Sequence, residues 1–185
     1  LVHQKAFDDI IRALTKLLSN IKLLAVGSGS DEHMLKKLAG ELKVSDRVIF
    51  TGQVDRNVVT LYRRAADIFV APSRSEGLCN AFISALASRL PLVATQVGGM
   101  ADYVFDEKHN PDKKPTALVI GPDSPDQIAV KVQEILANPQ KAKEISAYAR
   151  RMVEEKYDWD IIAKQMHEQV FAYVFTKYND QPHTH

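Results

Sequence analysis

The chain reads as an α/β fold with a doubly wound, Rossmann-like parallel sheet, and two observations carry that reading. Short apolar runs alternate with helix-period segments along the chain, and runs such as LLAV and IFVA are apolar at every position. A strand apolar on both faces is covered on both faces, which is the mark of a parallel sheet with helices crossing over right-handed on either side.

The elements follow in order. Residues 5 to 18 set Phe7, Ile10, Ile11, Leu14, Leu17 and Leu18 on one helical face, and Ile21 to Val26 reads as the first strand. That helical pattern starts close to residue 1, so a further element is expected ahead of it. A helix is expected from Asp31 to Leu42, a strand from Arg47 to Phe50, a helix from Asn57 to Ala65 and a strand from Ile68 to Ala71. A buried helix from Asn80 to Ser88 and a strand from Leu92 to Thr95 come next. The run DEKHNPDKKP after Phe105 is polar and turn-rich, which makes it an exposed loop with solvated charges. Ala117 to Ile120 reads as the last strand, and Ser124 followed by Pro125 reads as an N-cap and first helical position. Periodic apolar residues at Ile128, Val132, Ile135 and Leu136, then at Ile161, Ile162, Met166, Val170, Phe171 and Val174, mark helices packed on the sheet or on another domain. Trp159 is expected to pack a C-terminal helix, and the tail NDQPHTH, 179 to 185, to be disordered.

Composition narrows the function. With 185 residues, 45% of them hydrophobic, the chain supports one cored domain, taken as residues 1–178. A net charge of +1 and no Lys/Arg block leave no electrostatic footprint for nucleic acid or an anionic membrane. The single cysteine, Cys79, forms no internal disulfide and fits a small buried residue better than a nucleophile. A soluble, cytoplasmic protein is expected, and the scattered histidines, without HExxH or zinc spacing, imply no metal.

The chemistry gathers at strand ends. Gly27-Ser28-Gly29-Ser30 follows one strand and precedes a helix, so its amides can face an anion; an ordinary tight turn explains the same residues. Val97-Gly98-Gly99 follows another strand, with Asp102 placed to favour a helix N-terminus through the macrodipole. Two glycine turns on one sheet edge count for more than one, because ligands of open α/β sheets bind beyond the carboxyl ends of the strands. Glu76 stands in the loop after IFVAPS, where its carboxylate can accept sugar hydroxyls or stabilise charge at an anomeric carbon. The competing assignment is a loop glutamate paired with Arg74 or with helix amides.

Three stretches, VGSGSDEHMLKKLAGELKVSDRVIFTGQV, LYRRAADIFVAPSRSEGLCNAFISALASRLPLVATQVGG and the segment with YDWDIIAKQM, resemble the C-terminal, nucleotide-sugar-binding domain of group 1 (family 4) retaining glycosyltransferases of the GT-B fold. The resemblance covers nearly the whole chain. It implies sugar transfer from a nucleotide-diphospho-sugar donor, with no cofactor. It also implies that the first strand of the domain and an N-terminal acceptor-binding half lie outside this chain, with membrane contact only through that half. Glu76 resembles the first glutamate of the family's E-x7-E signature, facing the donor sugar. By the same resemblance Lys5 contacts the diphosphate, although the arginine of that pattern is absent here. Gly27 and Gly29 line the phosphate pocket, the backbone near Val54 reads the base, and main-chain amides of Gly98, Gly99 and Met100 surround the sugar and its phosphates.

One position departs from the pattern. Ser84 stands where the second glutamate would grip the ribose. Losing that charge-assisted hydrogen bond costs roughly 1.5 to 3 kcal/mol. Two other functions therefore stay open at this level, a sugar-nucleotide 2-epimerase and a degenerate, non-catalytic binding module.

Overall fold

The computed structural model describes residues 1–77 and 80–172. Among these, the strands β1 (Leu23–Ala25), β2 (Val48–Phe50), β3 (Phe69–Ala71), β4 (Leu92–Thr95) and β5 (Leu118–Ile120) alternate with α1 (Phe7–Leu14), α2 (Glu32–Glu41), α3 (Arg56–Ala65), α4 (Asn80–Ala87) and α5 (Pro125–Ala137). Two further helices follow, α6 (Pro139–Tyr157) and α7 (Trp159–Met166).

Every strand pairing is parallel. β1 pairs with β2 (Leu24 opposite Ile49), while β3, β4 and β5 form a second sheet with Val70 opposite Val93 and Ala94 opposite Val119. Alternate residues of the second sheet feed two separate cores. Val93, Leu118 and Ile120 pack with Ile10, Leu14 and Ile128 of α1 and α5, whereas Leu92, Ala94 and Val119 pack with Phe82 and Leu86 of α4 and Met152 of α6. Side chains two apart point to the same face, so this partition is the doubly wound arrangement itself. α1 packs on β1 and on α5, and α5 lies on β4 and β5, so one apolar cluster ties the two sheets together although no ladder joins them among the described residues.

Several expectations are corrected. The helix expected over 5–18 is shorter: a 3-10 turn, His3–Lys5, leads through Ala6 at φ +52 into α1, which ends at Leu14. Leu18, expected on the core face, is 72% exposed. The reason is Arg47, expected only as the start of a strand. Its buried guanidinium donates to the carbonyls of Leu14 at 2.8 Å, Ile21 at 2.9 Å and Leu18 at 2.8 Å, holding the chain in turns beyond the helix. Helix-end carbonyls lack intrahelical partners, and here one side chain satisfies them. Ser124 occupies the N-cap position of α5, but its hydroxyl donates to Pro122 O at 2.9 Å and caps nothing. Asp102 lies at the far end of a five-residue 3-10 turn, Gly98–Asp102, so it favours no helix N-terminus. Leu136, Met166, Val170 and Phe171 are exposed and lie outside the core on this sheet, which leaves the expected packing on another domain for them, and Trp159 is 77% exposed. α7 is instead started by Asp158, whose carboxylate accepts the Asp160 amide at 2.9 Å. Cys79, Val174 and the tail lie outside the described residues. No helix among the described residues is long and apolar enough to cross a membrane.

The Arg47 cap is testable. Arg47→Met keeps the aliphatic stem but removes buried charge-assisted donors to the Leu14, Leu18 and Ile21 carbonyls, so urea unfolding should show a loss of about 2–3 kcal/mol with an unchanged m-value.

Candidate functional site

Both glycine turns sit at the carboxyl ends of the strands, and residues 1–5 run along that edge between them. The Leu1 main-chain nitrogen donates to Ser28 O, and its carbonyl accepts the Asp31 amide at 3.2 Å. Gly29 is required there, because a Cβ would collide with the Leu1 main chain. In the same loop the Gly27 amide donates to Gly52 O at 3.0 Å, joining it to the loop after β2, where Val54 is half-buried. Four residues along from Leu1, Lys5 reaches the loop after β3.

Glu76 is the centre of that second region. Its side chain is only 7% exposed, and Oε1 accepts the Lys5 ammonium and the Ser73 hydroxyl, the latter at 2.9 Å. Ser73 is itself fixed, since its carbonyl accepts the Thr95 hydroxyl at 2.7 Å from the end of β4. The loop after β4 closes against the same residue. Gly98 has φ +55, and a Cβ on it would strike the Glu76 carbonyl oxygen, so position 98 needs glycine on both counts. Gly99 is half-buried beside it. Met100 is fully buried among the α4 and α6 core residues, and its amide donates to Val97 O at 3.2 Å. Ser84 is half-buried on α4. The fold thus brings Lys5, Glu76 and Gly98 into direct contact. It links Gly27, Gly29 and the Val54 loop to them through residues 1–5, whereas the Met100 side chain lies in the core and its amide is taken by Val97 O.

Arg74 does not pair with Glu76, as the competing assignment would have it. Its guanidinium forks onto both oxygens of Asp8 at 3.0 Å, reaches Asp9 at 3.3 Å and Asp123 at 2.5 Å, and donates to His3 O at 2.8 Å. Its amide donates to Gln4 O at 2.8 Å. One residue therefore fastens the segment carrying Lys5, the start of α1 and the loop after β5 to the loop carrying Glu76. Planar, bidentate geometry of this kind is what a guanidinium supplies and an ammonium does not. Sequence reasoning saw Arg74 only as a partner for Glu76, because nothing local links position 74 to Asp8.

These contacts polarise the acids. Burial acts to raise the Asp8 carboxyl, but hydrogen bonding to Arg74 and its charge outweigh it, and the group is held below its ordinary value. Asp9 goes the other way, raised by burial and by the neighbouring Asp8 charge against the pull of Arg74. Among the described residues no cluster of three His, Cys, Asp or Glu forms a metal site.

Comparison with known proteins decides the family. The model of glycosyl transferases group 1 matches residues 1–152. The chain belongs to that family. It is similar to an uncharacterized glycosyltransferase of Methanocaldococcus jannaschii, 33% identical over 167 residues that make up 89% of this chain and 41% of the relative. It is similar also to a GDP-mannose-dependent alpha-(1-6)-phosphatidylinositol monomannoside mannosyltransferase of Mycobacterium tuberculosis, 31% identical over 90% of this chain and 44% of the relative. The chain thus spans less than half the length of either relative. Among solved structures, HepE of Anabaena in complex with UDP-glucose superposes with a TM-score of 0.83, at 20% identity, over 93% of this chain and 46% of that one. This group 1 domain therefore has the Rossmann-like α/β architecture of the GT-B fold.

The Arg74 contacts generate two expectations. Arg74→Ala leaves two largely buried carboxylates without their cation and should cost about 3 kcal/mol in chemical denaturation. Asp8, with its lowered pKa, contributes stability above about pH 4 that disappears as pH falls through its folded value, while Asp9, with its raised pKa, opposes that loss. In melts across acid pH, Asp8→Asn should flatten the decline of the melting temperature and Asp9→Asn should steepen it.

Proposed function

We propose that this domain is the donor-binding half of a glycosyltransferase that moves a sugar from a nucleotide-diphospho-sugar to an acceptor with retention at the anomeric carbon. Sugar transfer needs a second, acceptor-binding half, so the chain alone binds donor and turns nothing over. The observation that carries this reading is the Lys5–Glu76 contact at the ligand edge of the sheet, closed by Gly98, whose left-handed backbone presses on the Glu76 carbonyl.

In this reading the Lys5 ammonium stabilises charge building on the departing diphosphate, and amides of the turns at Gly29, Gly98 and Gly99 add their dipoles, while the Gly27 amide is taken by Gly52 O and shapes the turn. Glu76 orients the sugar hydroxyls, which converts binding energy into alignment of the anomeric carbon. The Val54 loop meets the base. We further propose one more parallel strand between β1 and β3, supported by the absence, among the described residues, of a ladder joining the two sheets and by residues 1–5 spanning their carboxyl ends. A reducing, cytoplasmic setting suits the single cysteine.

Relatives named for GDP-mannose and UDP-glucose make those donors the first to try. In a thermal-shift panel of UDP-, GDP- and ADP-sugars, one class should raise the melting temperature in proportion to the logarithm of its concentration. Lys5→Met should weaken that ligand roughly tenfold by calorimetry; equal affinity would count against the assignment.

Ser84 favours a second reading, a domain kept for binding or assembly without catalysis. Ser84→Glu separates the two. A gain of roughly tenfold in donor affinity supports the donor site, whereas negligible binding by both proteins supports the module.

A further inference from the structure

Resting on the donor-site reading, we infer that Glu76 and the diphosphate compete for the same ammonium, so that the site discriminates a sugar-bearing nucleotide from the bare nucleotide left after transfer. The juxtaposition that carries this is the Lys5 ammonium seated directly on Glu76 Oε1.

The two partners are held unequally. Glu76 is the fixed one: its carboxylate is 7% exposed, it keeps the Ser73 hydroxyl at 2.9 Å, and Ser73 is fastened to β4 through Thr95. Lys5 has a fixed backbone, since its amide donates to Val2 O at 2.9 Å and Arg74 holds the carbonyls of His3 and Gln4. Its side chain is 40% exposed on a four-carbon stem, so the ammonium can swing while the carboxylate stays. Among the described residues, Glu76 is the acid that Lys5 pairs with.

A diphosphate arriving at this edge must draw the ammonium away from Glu76. A buried carboxylate stripped of its cation is unfavourable unless other donors replace it. A nucleotide sugar brings those donors as the hydroxyls of the sugar beyond its diphosphate, whereas a bare nucleoside diphosphate has hydroxyls only on its ribose, at the other end. Once the sugar has left, re-formation of the Lys5–Glu76 pair competes with the diphosphate and speeds its release. Glu76 is thereby a specificity residue for sugar-bearing ligand over bare diphosphate, in addition to contacting the sugar.

The experiment is a double-mutant cycle read by calorimetry, using UDP with UDP-glucose and GDP with GDP-mannose on wild type, Glu76→Gln, Lys5→Met and the double variant. Glu76→Gln keeps an acceptor for Ser73 but frees the ammonium. It should bind the bare diphosphate roughly tenfold more tightly while binding the sugar nucleotide no better, and the gain should vanish in the Lys5→Met background. Glu76→Asp, which shortens the carboxylate, should shift binding in the same direction and serves if the glutamine variant fails to fold. Unchanged or weaker diphosphate binding by Glu76→Gln, with Lys5→Met still harmful, overturns the competition and leaves the donor site standing. If Lys5→Met changes neither ligand, or no protein binds any of the four, the donor-site reading falls as well.

Discussion

The Arg74 guanidinium is the contact on which the rest of this site depends. It lies between the acids that open α1, the carbonyl of His3 and Asp123 beyond β5, and its own backbone holds Gln4. Among the described residues no ladder connects the β1–β2 pair to the β3–β4–β5 sheet, so the alignment of their carboxyl ends comes from α1 packing on β1 and, through α5, on the other sheet, and from this polar fastening at the edge. Apolar packing is non-directional and sets only how close α1 lies; fixed donor directions set where its first residues point. Lys5 reaches Glu76 because both constraints are met together.

The same edge shows how a largely buried carboxylate is tolerated. Glu76 has a cation, a hydroxyl and a loop pressed against its main chain, so its charge is compensated without ligand. A site arranged this way is satisfied when empty, and whatever binds must exchange partners with it. In the proposed donor site, preorganisation and competition are two aspects of one geometry, since the Lys5 ammonium is already held on Glu76.

Much of the architecture was legible because it rests on local pattern. Continuous apolar runs gave β1, β3, β4 and β5 to within about two residues, and helical periodicity gave α2, α4 and α5. The failures share a cause. Helix α1 was read too long because Leu17 and Leu18 continue its apolar stripe, while Arg47, 29 residues beyond Leu18, diverts the chain there. Ser124 was placed at the right position with the wrong hydrogen bond, and Trp159 was buried on hydrophobicity alone although it is exposed. Of the site residues, Glu76 and Gly98 could be named from their turns, but Ser73 and Arg74 act through partners 22 and 66 residues away.

What the sequence determined by itself is the α/β class, the strand ends at which glycines and one acid collect, and the family resemblance. These depend on period, on turn chemistry and on residue types at short spacing, all of which survive in one dimension. What only the tertiary structure decided is pairing: Lys5 with Glu76, Arg74 with Asp8 and its neighbours, and Gly98 with the Glu76 carbonyl. Charged and polar groups choose partners by distance and direction in space, and a chain folded into crossovers places in contact residues whose separation in sequence carries no sign of it.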